Sequence, residues 1–571
     1  MFENENMDEN LQENYKKPYS KKFIIIIVII IVLVLVIIIS GIIIVIHSKN
    51  KDKNEDKNEN NQPEIDFEIN TVKFNPEIIY MGSHYNYQGD LLVIYKKNSS
   101  KNYFVGIFND KGEILKEVYE FMDGEVNTDY IHRASSFSDG KRVLIGGKIL
   151  QCSKELKFCE DPKLYELEFP DQLKHMTNLW FLFTEPIINY GGKYIFWSTF
   201  DKDMNILNFV GELKFDDKKY VIENIKGLTN YFYDSYDKSS GKYTLPKILR
   251  FGPIKQVLEG GRALSIGGFL NYGLRKGIYQ YLSEDKISQL TFFEGYDETT
   301  AISPDLKLAC VMTTRFSDKT SFEIVGLIPT PYSILASYLV SIDILNYSIF
   351  NLRKNEKIKG NIGPALVELS KVDQDKNYKG KNLKTSDLWN FNGFISWSPD
   401  GTKIMFDEVE KNGDKRRCQI VKLKNYTPTE IKFEDNFKND IPYARTIEKT
   451  IDLHLNYPIN IRVEGKSGYL KIFHNETKCE IQYYNFSEDN EIFYTGNYCY
   501  EKKLEDAENS HIFQVNITSD GKKKGNCNYR LWFDSKSMIL FDKYIDGNNK
   551  SYGKCNYEGK EINVDIYQPE N

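Results

Sequence analysis

The chain carries seven histidines, eight cysteines and 81 acidic residues, and their spacing limits the chemistry open to it. No His-Glu-x-x-His pair is present to hold zinc beside a general base, and neither a phosphate-cradling glycine loop nor a calcium loop occurs. A serine nucleophile on a Gly-x-Ser-x-Gly elbow is also missing; the nearest string, Gly465-Lys466-Ser467-Gly468, lacks the spacing. What remains is a set of titratable residues standing ahead of recurring strand-and-turn patterns: His84, His132 with Arg133, Glu185, Arg250, and Asp297 with Glu298. Gathered at one channel mouth, they would form a ring of mixed charge suited to a polar ligand. Glu185, Asp297 and Glu298 are also the first carboxylates to test for glycoside hydrolysis, which needs a proton donor and a second carboxylate across the scissile bond. The plainer reading makes all of them solvated loop residues.

The cysteines point to staples rather than metal. Cys152 and Cys159 flank a short polar segment that a disulfide would close into a hairpin. Cys479, Cys499, Cys527 and Cys555 lie in the last hundred residues, and two similar strings, Gly496–Lys502 and Gly553–Gly559, each hold one of them. That likeness suggests pairs 479–499 and 527–555, one of three connectivities four cysteines allow. Without Cys-x-x-Cys spacing a zinc site is not expected. Cys310 and Cys418 stand in apolar runs and read as buried thiols. No cofactor is implied by any motif.

The elements that must position these residues are short strands around tight turns. The clearest is Ile395–Phe406, where Pro399, Asp400 and Gly401 supply the preset φ, the side-chain-to-backbone bond and the positive φ of a bulged hairpin. Weaker copies align on positions 89, 140, 192, 261 and 306, so that with 401 the gaps are 51, 52, 69, 45 and 95 residues. Three gaps match one four-stranded repeat, and the longer two call for insertions, placed at Leu228–Lys247 and Asn355–Asn392. Ser337–Ile344 reads as a third strand after the fifth turn. Asp139, Asp305 and Asp400 are turn formers, and Trp397 is core.

The aromatic, Ser-Pro-Asp-Gly, polar, Ile-x-Phe pattern of Trp397–Phe406, with fainter versions at 137–143 and 302–308, resembles the TolB-like β-propeller repeat family, also found in propellers of prolyl oligopeptidase and dipeptidyl peptidase relatives. The resemblance covers residues 66–435 and implies a six-bladed propeller with a central channel. It implies no catalysis, because this repeat mostly supplies binding surfaces, and the hydrolase domain of the peptidases has no counterpart here. Residues 436–571 alternate apolar and polar in short runs and are expected to form a small β-sandwich-like module.

The chain's N-terminal part sets its placement. Phe23–Ile46 is an uncharged run of 24 residues, nearly all Ile, Val and Leu, long enough at 1.5 Å per residue to span a hydrocarbon core of ~30 Å. Residues 23–47 are therefore expected to form one uncleaved transmembrane helix, a signal-anchor, with 1–22 as a cytoplasmic tail and 48–65 as a disordered stalk. The large C-terminal part would be lumenal or extracellular. Sequons at Asn98, Asn346, Asn425, Asn475, Asn485, Asn516 and Asn549 are all C-terminal to the anchor. A formal net charge of −6 offers no basic field for nucleic acid. The expected fold is thus all-β, and the expected function is that of a membrane-anchored binding protein for an unknown protein, peptide or glycan. The alternatives are a propeller hydrolase acting on glycans or peptides, or a non-catalytic peptidase relative that modulates a membrane partner.

Overall fold

A computed structural model describes residues 64–563 apart from internal segments, chiefly 127–133, 175–183, 201–205, 230–235, 238–241, 244–251, 269–275, 317–362, 411–414, 452–458, 503–509 and 535–543. The tail, most of the stalk, the 23–47 segment, His132, Arg133, Arg250, Asn346 and the 337–344 strand lie outside the described residues. Among the described residues no helix is long and apolar enough to cross a membrane. The chain divides into two compact units, Met1–Asp66 and Phe67–Asn571, and the second holds the strands and the site.

Among the described residues, the strands from Phe67 to Leu423 include six four-stranded antiparallel units. Unit 1 runs Ile78–Tyr85, Leu91–Lys97, Tyr103–Phe108 and Ile114–Phe121. Unit 2 begins at Ala134–Ser136, unit 3 at Thr184–Ile188, unit 4 at Ile254–Leu258, unit 5 at Asp297–Ile302 and unit 6 at Trp389–Trp397. Unit 6 takes its fourth strand from the other end of the region: Phe67–Thr71 pairs antiparallel with Arg416–Leu423, Phe67 opposite Leu423. Units 2 and 3 also touch through their outer strands, where Tyr220 pairs in parallel with Leu167.

The turn positions aligned by sequence hold at every unit. Gly89, Gly140, Gly192, Gly261 and Gly401 all have positive φ, and in unit 5 the same place is taken by Leu306 at φ +61°. Asp139, Asp305 and Asp400 accept backbone N–H groups two residues on, as turn formers do. One insertion boundary needs correction: 355–392 is not wholly an insertion, since Gly363–Glu368 is unit 5's third strand and Lys381–Asn382 its fourth.

Apolar side chains of neighbouring units interdigitate. Leu92, Ile94 and Val105 pack with Val143, Ile145 and Leu150 between units 1 and 2, and Tyr80, Tyr95 and Phe108 with Met405 and Cys418 between units 1 and 6. Hydrogen bonds join adjacent units in a complete circuit, between first strands at every junction except that of units 3 and 4, where Ser198 of unit 3's second strand, Tyr194–Phe200, takes part. His84 Nε2 meets Ser136 Oγ at 2.7 Å, Ile188 N–H donates to Ser135 Oγ, and Ile254 N–H donates to Ser198 Oγ at 3.0 Å. Gln256 grips both the N–H and the C=O of Ile302, Trp397 Nε1–H donates to Ala301 C=O at 2.8 Å, and Tyr85 N–H donates to Ser396 Oγ at 3.1 Å. Unit 1 is thereby reached again from unit 6, and Trp397 is buried between blades as expected.

Among the described residues, the C-terminal part is one eight-stranded sheet with a small separate hairpin, Tyr544–Ile545 with Asn548–Asn549, and not the expected sandwich. Eight strands, from Ile459–Glu464 to Lys560–Asn563, pair in one antiparallel meander, nearly all with the strand next in sequence. Strands of up to 12 residues joined by tight turns zip to their neighbours, whereas a sandwich needs connections that cross between sheets. One face is buried, with Leu470, Ile472, Ile481, Tyr498 and Val515 on it, and the other is polar.

Candidate functional site

Turn chemistry builds the site. In five units a short turn succeeds the first strand, closed by the N–H of the positive-φ residue donating three residues back, as from Gly89 to Asn86, Leu306 to Ser303 and Gly401 to Ser398. The residues running into these turns face one another around the channel. They enclose a cavity of about 500 Å³, walled by His84–Tyr87, Ala134–Ser136, Pro186–Ile188 with Tyr190, Lys255–Gly260, Ala301 with Pro304–Leu306, and Ile395–Trp397. Every unit contributes through its first strand.

The cavity lies at the end of the first strands where they enter the turns, opposite the mouth expected from sequence. Of the expected ring's described members, only His84 lines it. Asp297 is wholly buried in an ion pair with Arg315 at 2.8 Å, and Glu298 is paired with Lys255 at 3.0 Å. Neither belongs to the cavity wall, although Lys255 does. Glu185 stands in unit 3's first strand, one residue before Pro186 of the wall. Their pairing, with Arg315 and with Lys255 of unit 4, spends these two carboxylates on the scaffold.

Charged and polar groups of the wall are held by neighbours. Burial pushes the His84 imidazole down to about 4, so it is neutral at physiological pH, and its Nε2 is fixed against Ser136. Glu259 accepts from the Tyr279 and Tyr281 hydroxyls and from Arg262. Asp305 accepts from Ser303 Oγ at 2.6 Å, from Thr429 N–H and from the Tyr426 hydroxyl. Beside them stands an aromatic trio, with Tyr190 stacked on Phe433 at 4.8 Å and Tyr87 edge-on to Tyr190 at 5.3 Å. Burial, with Tyr190 alongside, pushes the Tyr87 phenol up to about 12.

Tyr426, Thr429, Ile431 and Phe433 belong to a segment that the sequence pattern divides between two domains. The described residues between 424 and 451 leave unit 6 and run as a strap along the turn face. Asp435 pairs with Lys193 at 3.0 Å, Phe437 packs on Tyr194 and Phe196, the Tyr443 hydroxyl accepts from Gln280, and Arg445 exchanges backbone bonds with Gly227. A Cβ on Gly227 would lie 1.9 Å from Thr450 Oγ1, so glycine is what lets the strap's short helix, Ile447–Ile451, close on unit 3. The alternation Ile431, Phe433, Asp435, Phe437 is the available signal for an extended segment with one packed face.

This geometry decides the fold. The scaffold is a β-propeller. No family model and no curated protein matches the chain. Solved structures similar to it include an oligogalacturonate lyase from Vibrio parahaemolyticus, 7% identical over 63% of this chain and 98% of that one, with a TM-score of 0.35. A putative TolB from Agrobacterium tumefaciens is 10% identical over 55% and 83%, with a TM-score of 0.30. Prolyl oligopeptidase B from Galerina marginata is 10% identical over 71% and 46%, with a TM-score of 0.29. At these values they bear on no activity, and the propeller assignment rests on strand pairing and the inter-unit circuit.

Among the remaining sequence candidates, Cys152 and Cys159 are joined, as are Cys527 and Cys555, which stand directly opposite each other on adjacent strands. The 479–499 pair is corrected: Cys479 lies opposite Tyr500 and Cys499 opposite Glu480, so the two thiols point to opposite faces of the sheet and are not bonded. Cys310 and Cys418 are buried thiols, pushed up by burial. Of the sequon asparagines, Asn98, Asn425, Asn485 and Asn516 are exposed and Asn475 is half-buried, while Asn549 belongs to a short hairpin strand.

Proposed function

We propose that this chain is a membrane-anchored binding protein whose six-bladed propeller holds a polar ligand in the turn-end cavity. The observation that carries the reading is the cavity wall: all six units supply it, and its ionisable groups are fixed by neighbouring side chains. Such a wall is preorganised for recognition. The wall's carboxylates Glu259 and Asp305 are each held by several hydrogen-bond donors, and the pair first suited to hydrolysis, Asp297 and Glu298, is spent in buried ion pairs. A hydrolase acting on glycans or peptides is the alternative, and nothing in the position of those two residues favours it.

The anchor, residues 23–47, with tail 1–22 and stalk 48–65, would display the propeller on the lumenal or extracellular side. Two disulfides and four exposed sequon asparagines support that orientation. The ligand is a protein, peptide or glycan segment with polar groups and an apolar part for the Tyr87–Tyr190–Phe433 trio.

Two measurements test the reading. Full-length protein in sealed membranes is treated with protease and, separately, with N-glycosidase; a protected large fragment that shifts on deglycosylation is expected, and a protease-sensitive, unshifted one overturns the topology. For the cavity, the nanodisc-embedded protein is screened against short polar peptides and oligosaccharides by melting temperature. A ligand that raises it for the wild type and not for Tyr190→Ala is expected; equal shifts in both place the ligand elsewhere.

A further inference from the structure

The polar face of the C-terminal meander carries a pattern that the propeller does not need. Along the strand register, Arg462 stands opposite Lys471, Lys471 opposite Gln482, Gln482 opposite Asn497, Asn497 opposite Asn516, Asn516 opposite Asn528, and Asn528 opposite Lys554. One straight row of side chains therefore crosses seven strands, and the four from Gln482 to Asn528 are carboxamides. Neighbouring strands lie about 4.8 Å apart, so the amides form an evenly spaced rank of donors and acceptors. Asn516 and Asn528 are exposed and Gln482 and Asn497 half-exposed.

Two features say what such a row fits. Two of its three ions are paired locally, Arg462 with Glu464 and Lys554 with Glu561 at 3.2 Å, while Lys471 lies over the Tyr484 ring at 5.7 Å; the four carboxamide positions themselves carry no charge to offer an anionic partner. The next row is also uncharged across its middle, with Thr495 opposite Thr518 and Asn526 opposite Asn556. Beside the amides, Tyr469 and Tyr484 stack at 4.6 Å, and the Tyr484 hydroxyl donates to Gln482 Oε1 at 2.7 Å. Each carboxamide both donates and accepts, which matches the repeating hydroxyls of a sugar chain. A tyrosine edge at the end of the row supplies apolar contact.

We propose that this face binds an uncharged oligosaccharide chain laid across the strands, along the row from Gln482 to Asn528. The site is separate from the channel cavity and does not rest on the reading given for it. Because Asn516 is also a sequon asparagine, a glycan attached there would occupy the same surface, so the site is open only on chains unmodified at that position.

The test is native affinity electrophoresis of the full chain, produced without N-glycosylation and held in detergent, through gels containing hydroxyethyl cellulose, galactomannan or, as an anionic control, polygalacturonate. Retardation in at least one uncharged gel is expected. The triple variant Asn497→Ala, Asn516→Ala, Asn528→Ala should weaken it roughly tenfold or more. Near-ultraviolet circular dichroism verifies its fold, and Asn516→Gln alone, which keeps the carboxamide, should retain most of the retardation. No retardation in either uncharged gel, equal retardation of the triple variant, or retardation in polygalacturonate alone each overturns the proposal. A concentration-dependent dimer that the triple variant loses would assign the face to a second copy of the chain and overturn it too.

Discussion

The propeller and the meander are both built from antiparallel strands, yet they are closed by opposite means. In the meander nearly every strand pairs with the next in sequence, so each hairpin can form before the one after it is made. In the propeller the last unit is completed only when Phe67–Thr71 finds Arg416–Leu423, a contact such as Thr71 with Gln419 spanning 348 residues. Local pairing makes the meander tolerant of change at one place. The ring shares its closure among six junctions, and a loss at any one of them is felt by its neighbours.

The most severe way to break this contrast is to delete residues 67–71. Unit 6 then ends on an unpaired edge, and hydrogen exchange should show protection lost across the propeller while peptides of residues 459–534 keep theirs. Uniform loss over both regions would show that the two are one cooperative unit. Cys527→Ser tests the other side: the bridge closes a separation of 28 residues, and its removal should cost the meander about 3 kcal/mol in urea denaturation, with little change in the propeller. Trp397→Phe keeps an aromatic side chain but removes the indole's second ring and with it the donor to Ala301 C=O, leaving a buried acceptor unmet and a small void; a loss of about 2–3 kcal/mol is expected, again confined to the propeller.

A pH series sharpens the seam between units 6 and 1. Asp407 is buried there, accepts from the Tyr80 hydroxyl, and is pushed up to about 7 mainly by burial. Since the folded state holds this proton more tightly than the unfolded chain, the group's contribution is fully present below about pH 4 and is lost as pH rises through about 7. Asp407→Asn should flatten that slope, being near neutral at about pH 4 and relatively stabilising at about pH 7, as read from urea midpoints. An unchanged slope would move the titration to another group.

What is legible in the sequence is what is written locally. All six turn positions can be read from it, because positive φ, Asx-type bonds and Gly or Asp at fixed places are short-range requirements. Leu306 shows the limit of the glycine rule: it adopts the same left-handed conformation, and only alignment to the other turns marks it. The Cys152–Cys159 staple is equally local. What escapes depends on partners far away in sequence. The closing strand is an unremarkable Phe-Glu-Ile-Asn-Thr, and its role exists only once Leu423 is beside it. Asp297 and Glu298 look available in the sequence because Arg315 and Lys255 stand well along the chain in either direction, and the cavity falls at the opposite end from the expected one for the same reason. A β-sandwich and a meander have the same alternation, so the pattern alone does not separate them.

The strand that completes the ring is also the first after residue 66, and this has a mechanical meaning. A pull transmitted along the upstream segment reaches Phe67–Thr71 before the other described strands, and five strand-paired residues, with the Lys424–Glu68 ion pair and the Val72 N–H bond to Cys418 C=O, hold it to unit 6. For a propeller tethered at that end, the point of attachment and the clasp of the ring are the same five residues. A load on a captured ligand would therefore be borne where the scaffold opens, and the force that detaches the tether would be the force that undoes the binding surface.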